Sequence, residues 1–189
     1  MPIDFDFRRK AVGNLTTENG VYVLCDLDHV PVYVGRSSQG IRQRVQRHLT
    51  SARSDVIANR QVDVWEIAFV WQFPIKKPED MATLEAALFH QHNPQSRLMN
   101  GTIPPEPPPG TVIPKPAKVV QVMSDDEIAE KKDVELRLPR QAAHYAQIVG
   151  HFLAVKNSKQ IARAMDAHFE RLTKYHALML GLDSGEDSE

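Results

Sequence analysis

The chain has 189 residues, 42% of them hydrophobic, with 23 Lys and Arg against 24 Asp and Glu. That length holds one full domain and a smaller appendage, and the apolar fraction excludes a wholly disordered chain. The net charge of −1 excludes a globally basic nucleic-acid coat but leaves room for a local basic patch.

Taken from the N-terminus, Met1-Pro2-Ile3-Asp4-Phe5-Asp6 lacks the layout of a targeting signal, and no stretch approaches 18 uninterrupted apolar residues. A soluble, cytoplasmic protein with no membrane partner is expected. The β-branched runs 21–27 and 30–34, separated by Asp28-His29, predict a hairpin. The single cysteine, Cys25, falls in the first run and excludes an internal disulfide and a multi-Cys zinc site; it reads as a small buried hydrophobe. Ile41, Val45 and Leu49 recur at four-residue spacing in an arginine-dense segment and predict a helix over 40–51. The alternating stretch 62–73, with Trp65, Phe69 and Trp71, predicts a third strand. Pro78-Glu79-Asp80 then opens a helix with Met81, Leu84, Leu88 and Phe89 on its apolar face. It should end near His92, because Pro94 pushes Asn93 out of helical geometry.

Seven prolines lie between Ile103 and Pro116. That density excludes a helix or central strand and predicts an extended spacer over 103–117. The organisation read from this is an α+β domain over 1–102, with an antiparallel three-stranded sheet flanked by helices, then the Pro-rich linker, then a helical region over 118–189. Ser124-Asp125-Asp126-Glu127 has the capping-box layout. Helices are predicted over 125–137, 140–156 and 159–180, the last with Ile161, Met165, Phe169, Leu172 and Tyr175 along one stripe. A frayed acidic tail should follow Gly181.

Several polar residues carry chemistry on this skeleton. Tyr22 and Tyr33 fall on paired strands, where cross-strand neighbours can meet. Gly35 ends the second strand, where a backbone without Cβ can approach a phosphate. Arg42, Arg44, Arg47 and His48 share one short helix, with Arg44 and His48 one turn apart. Glu85 sits among Leu84, Ala86, Ala87 and Leu88, where a carboxylate faces desolvation without a partner. Taken singly, each of these reads as packing or solvated surface, and the remaining histidines form no metal-ligand set.

Jointly they resemble the GIY-YIG nucleases. Gly20-Val21-Tyr22 followed by Tyr33-Val34-Gly35 is similar to the family signature, with Val for Ile in both triplets, and the resemblance covers about residues 19–101. It implies catalytic roles for Tyr22, Tyr33, Arg44, His48 and Glu85. It makes Glu85 the ligand of one Mg2+, with Mn2+ as an alternative, and DNA the partner. Gly35, Arg36 and Asn100 fall on the DNA-facing loop and helix exit, with Asn93 as the second candidate for the family asparagine. Arg42 and Arg47 read equally as a solvated face or as DNA-backbone contacts.

The function implied is a Mg2+-dependent DNA endonuclease in restriction, defence or repair. The alternative is a non-catalytic nucleic-acid-binding adaptor on a vestigial nuclease fold. One carboxylate suffices for an ion that keeps most of its waters, and arginine grips a phosphate through two donors. Residues 118–189 carry two more acidic than basic side chains. That favours dimerisation or partner docking over a phosphate grip, so a homodimer through these helices is expected. Residues 36–60 hold six arginines and only Asp55, which concentrates positive charge around the proposed active helix.

Overall fold

The computed structural model describes residues 3–50 and 55–182. The expected acidic tail, the last residue of the 40–51 helix and Arg53 of the basic segment lie outside the described residues. The elements are α1 (Phe5–Val12), β1 (Gly20–Cys25), β2 (Pro31–Ser37), α2 (Ile41–Thr50), α3 (Asp55–Ala58), β3 (Phe69–Pro74), α4 (Asp80–His92), β4 (Lys118–Gln121), α5 (Asp125–Lys131), α6 (Val134–Ala154) and α7 (Lys159–Leu180).

The class is α+β, but the sheet has four strands, in the order β2-β1-β3-β4, with every neighbouring pair antiparallel. The three-stranded expectation misses β4, which follows the prolines and adds to β3. Four residues with only Val120 buried are too short for period-two alternation to be legible. The β1–β2 turn closes on Asp26, whose Oδ1 accepts from the amides of Asp28 and Val30 at 2.8 and 2.9 Å. His29 takes a φ of 61° there.

The expected strand over 62–73 is also corrected. Asp63 caps a 3-10 turn at Val64–Glu66, its Oδ1 accepting from the Trp65 amide at 3.2 Å, and pairing begins only at Phe69. Alternation alone does not register a local cap of this kind.

Both faces of the sheet are covered, which is why β1 reads as a continuous apolar run. Val21, Val23, Cys25, Val34, Phe69 and Phe73 pack with Leu84, Leu88 and Phe89 of α4. Tyr22, Leu24, Val32, Val70 and Val120 pack with Ala11 and Val12 of α1 and Ile41, Val45 and Leu49 of α2. Cys25 is fully buried, and burial pushes its thiol pKa well up, as a packing residue requires. Arg8 of α1 is also fully buried and donates to the carbonyls of Val64, Ile67 and Val122.

After β4, Ser124 caps α5 by accepting from the Glu127 amide at 3.2 Å. Helix α5 stops at Lys131, and Asp133 then caps α6 by accepting from the Glu135 amide at 2.9 Å. Pro139 lies inside α6 rather than between two helices. The carbonyl it leaves without its helical donor belongs to Glu135, an exposed residue, and the helix continues through it. Helix α7 starts on a Ser158 cap and ends at Gly181 with a φ of 66°. Its buried face is Ile161, Ala164, Ala167, His168, Arg171 and Tyr175; Phe169, expected in the stripe, is exposed. This face is small and polar because it meets charged groups at the end of the sheet. Arg171 pairs with buried Asp26, while Arg137 of α6 pairs with Glu66 at 2.7 Å and Asp28 at 2.5 Å.

Candidate active site

The row Gly35–Tyr22–Gln72 runs across β2, β1 and β3. Because Gly35 is opposite Tyr22, the ring lies over a position with no side chain. A Cβ on Gly35 would stand 2.5 Å from Tyr22 Oη and 2.8 Å from Tyr33 Cε1. The glycine therefore makes room for the phenol, a role different from the phosphate approach expected of it. Tyr22 is fully buried and His48 nearly so, and Tyr22 Oη lies 2.7 Å from His48 Nε2. Tyr33 completes the aromatic cluster, its ring centroid 6.3 Å from Tyr22 and 5.9 Å from His48.

Burial, then the neighbouring Tyr33, raises the Tyr22 pKa well above the usual phenol value. A hydrogen bond and the positive charge of Arg44 act in the opposite direction. The phenol is thus protonated near neutrality and can donate to His48 while Arg44 favours the ionised form. Helix α2 sets this geometry by placing Arg44 and His48 one turn apart while Ile41, Val45 and Leu49 face the core.

Glu85 of α4 approaches from the other side. Its carboxylate is 23% exposed, and the Nε of exposed Arg36 stands 3.4 Å away. Burial raises its pKa and Arg36 opposes the rise. Its charge also acts on Tyr22, which places it in the same electrostatic unit. Among the described residues, no group of three or more His, Cys, Asp or Glu can hold a metal ion. A single, partly desolvated carboxylate beside exposed Arg36 fits a hard cation that keeps most of its water shell, and Glu85 is the residue with that character.

The predicted DNA-facing residues divide. Arg36, Arg44 and Arg47 line one cavity of about 140 Å³ with Ser37, Ser38, Gln39 and Gln43. Three guanidinium groups around so small a space form a phosphate-sized acceptor of negative charge. Arg42 is not part of it: its Nε donates to the Leu15 carbonyl at 2.7 Å and holds the α1–β1 loop. Asn100 grips backbone, with Nδ2 donating to the Val34 carbonyl at 2.7 Å and Oδ1 accepting from the Val34 amide at 3.0 Å. Asn93 instead accepts from the Leu98 amide and from Arg163. Asn100 is therefore the asparagine joined to β2.

Sequence reasoning missed Gln72. It is buried beside Tyr22, and its Oε1 accepts from the Thr16 amide at 2.6 Å, fixing the loop before β1. The signal was a lone amide inside Phe69-Val70-Trp71-Gln72-Phe73.

Residues 18–100 match the GIY-YIG catalytic domain family. No curated protein matches the chain. Among the described residues, no helix is long and apolar enough to cross a membrane.

Proposed function

We propose, from the premise that residues 18–100 are a GIY-YIG catalytic domain, that the protein is a Mg2+-dependent DNA endonuclease. The observation that carries this is the Tyr22–His48 contact of 2.7 Å inside the field of Arg44 and Glu85. A buried phenol between an imidazole and a guanidinium is arranged for proton movement. Tyr22 takes the proton of the attacking water as its own passes to His48 Nε2, and Arg44 stabilises both the passing phenolate and the phosphate oxygen. Tyr33 orients the water from the second strand. Glu85 would hold Mg2+, or Mn2+ in its place, which when bound would supply Lewis acidity and positive charge for the leaving oxygen. Arg36 and Arg47 hold the flanking phosphate charge.

The Arg44–His48 pairing, with imidazole one turn after the arginine, supports a restriction-type role over repair. Two strands and one site per chain support a homodimer. Exposed Leu136, Leu153 and Phe169 on α6 and α7 are apolar surface that a second copy can cover.

Cleavage of plasmid and linear DNA with and without Mg2+ tests this reading. Wild type should cut only with metal, and Glu85→Ala and Arg44→Ala should each lose about two orders of magnitude or more. Undiminished cutting by Glu85→Ala would remove the metal assignment. A folded wild type that binds DNA and cuts no substrate would favour the adaptor.

A further inference from the structure

A second cavity lies at the turn end of the β1–β2 hairpin, where α7 passes the end of α4. It encloses about 430 Å³, well above the space beside Arg44, and falls in the range of small-molecule sites. Its two sides differ in chemistry. One is flat and aromatic. His29 stacks on Phe69 with centroids 3.5 Å apart and keeps its other face exposed, and half-buried Trp71 stands edge-on to His92 at 5.6 Å.

The other side is rich in unspent donors. Arg171, already paired with Asp26, donates to Ser96 Oγ at 3.2 Å and to Tyr175 Oη at 3.1 Å. Both hydroxyls are thereby fixed as acceptors toward Arg171. Neither hydroxyl proton has an acceptor among the described residues. Tyr175 is nearly buried, and burial raises its pKa, so it keeps its proton. Lys174 stands at the mouth and forms no ion pair among the described residues. His92 Nε2 has no hydrogen-bond partner, and burial lowers the pKa of that ring, which favours its neutral form. The acids nearby are committed: Asp26 to Arg171, and Glu170 to Arg97 at 3.4 Å.

A buried donor such as the Tyr175 hydroxyl is costly to leave without an acceptor, and half-buried Ser96 and exposed Lys174 stand beside it around the cleft. We infer that this cleft binds a nucleotide unit, with its base against His29 and Trp71 and its phosphate oxygens on Tyr175, Ser96 and Lys174. An anion meets two O–H donors and an ammonium group, and a planar ring meets the aromatic side. The occupant is either a free mononucleotide or a nucleotide of a bound strand. The inference does not depend on cleavage, because the cleft shares no residue with the Tyr22 site.

Calorimetric titration of the full chain without divalent metal tests it. The probes are deoxynucleoside 5′-monophosphates, the matching nucleosides, inorganic phosphate and a short single-stranded oligonucleotide. A monophosphate should bind one-to-one, about tenfold or more tighter than either its nucleoside or phosphate. Tyr175→Phe and Lys174→Ala should each weaken it about fivefold, with thermal unfolding confirming that both variants are folded. Lys174 is exposed, so its substitution tests the site even where Tyr175→Phe destabilises the fold. Oligonucleotide affinity that falls in the same variants identifies a strand nucleotide as the occupant, and affinity that does not fall identifies the free compound. The proposal is overturned by absence of monophosphate binding, by phosphate binding as tightly as the monophosphate, or by unchanged affinity in both folded variants.

Discussion

At the scale of single residues, the site depends on one missing methyl group. Alanine at position 35 would place its Cβ 2.5 Å from Tyr22 Oη and 2.6 Å from Cζ. The phenol would have to tilt away from His48. Gly35→Ala should cost about 1–3 kcal/mol of stability from overpacking and lower the cleavage rate about a hundredfold, by the loss of proton-transfer geometry. Denaturant unfolding with single-turnover cleavage separates the two effects; wild-type turnover in the variant would show that the ring position is unimportant. Glu85 gives a second residue-scale expectation. Burial holds its pKa above the ordinary 4.5, so its carboxylate forms at a higher pH than in the unfolded chain. Stability from this group therefore falls as pH rises through the folded value, and affinity for metal rises over the same range. Glu85→Gln should melt above wild type at pH 7 in chelator, lose that advantage at pH 4, and fail to bind Mn2+. Equal melting temperatures at pH 7 would show that Arg36 fully offsets the burial.

At the scale of elements, the legible part of the fold was the part with strong periodicity and local punctuation. β1, β2, α2 and α4 have apolar spacings that their neighbours in sequence reinforce, so Tyr22, Tyr33, Arg44, His48 and Glu85 could be placed before any coordinates. The misread parts owe their structure to distant partners. Helix α1 has no strong local signal: it buries Arg8 through carbonyls more than 50 residues away. β4 exists because Val120 and its neighbours pair with β3. The buried face of α7 follows acids on the sheet rather than its own apolar stripe. The role of Asn100 also rests on a partner distant in sequence. β2 is an edge strand, and the Asn100 side chain supplies the donor and acceptor that a further strand would give to Val34. Asn100→Ala should cost about 1–3 kcal/mol and speed amide exchange at Val34 more than in β1. Cleavage should fall as well, because Tyr33 and Gly35 flank the released residue. Unchanged exchange at Val34 would mean that the edge holds without the clamp.

At the scale of the whole molecule, the near-neutral total charge resolves into two arrangements of arginine. Arg36, Arg44 and Arg47 face one open cavity, while Arg137 and Arg171 of the C-terminal helices turn inward onto Asp26, Asp28 and Glu66. Arg137 makes a forked contact with both Glu66 oxygens at 3.2 Å and covers the Tyr175 ring at 4.1 Å. Two arginines of the appendage thus close the sheet end. Positive charge at the N-terminal cavity comes instead from Arg36 of β2 and Arg44 and Arg47 of α2. The same arrangement makes the sheet dependent on residues after the prolines. A chain ending at Ala117 lacks β4 and leaves Asp26 and Glu66 buried without partners, or exposes the surface around them. It should lose cooperative thermal unfolding and, with it, metal-dependent cutting. In the full chain, Arg137→Ala should destabilise by about 3–5 kcal/mol, the cost of stranding one member of a buried ion pair. Adding Glu66→Gln should recover part of that loss, since the stranded charge is then gone. Denaturant unfolding of the single and double variants measures the coupling directly. A double variant no more stable than Arg137→Ala would place the loss in packing against Tyr175 rather than in charge, and a cooperative melt from the 1–117 chain near that of the full protein would show that residues 1–117 fold without the appendage.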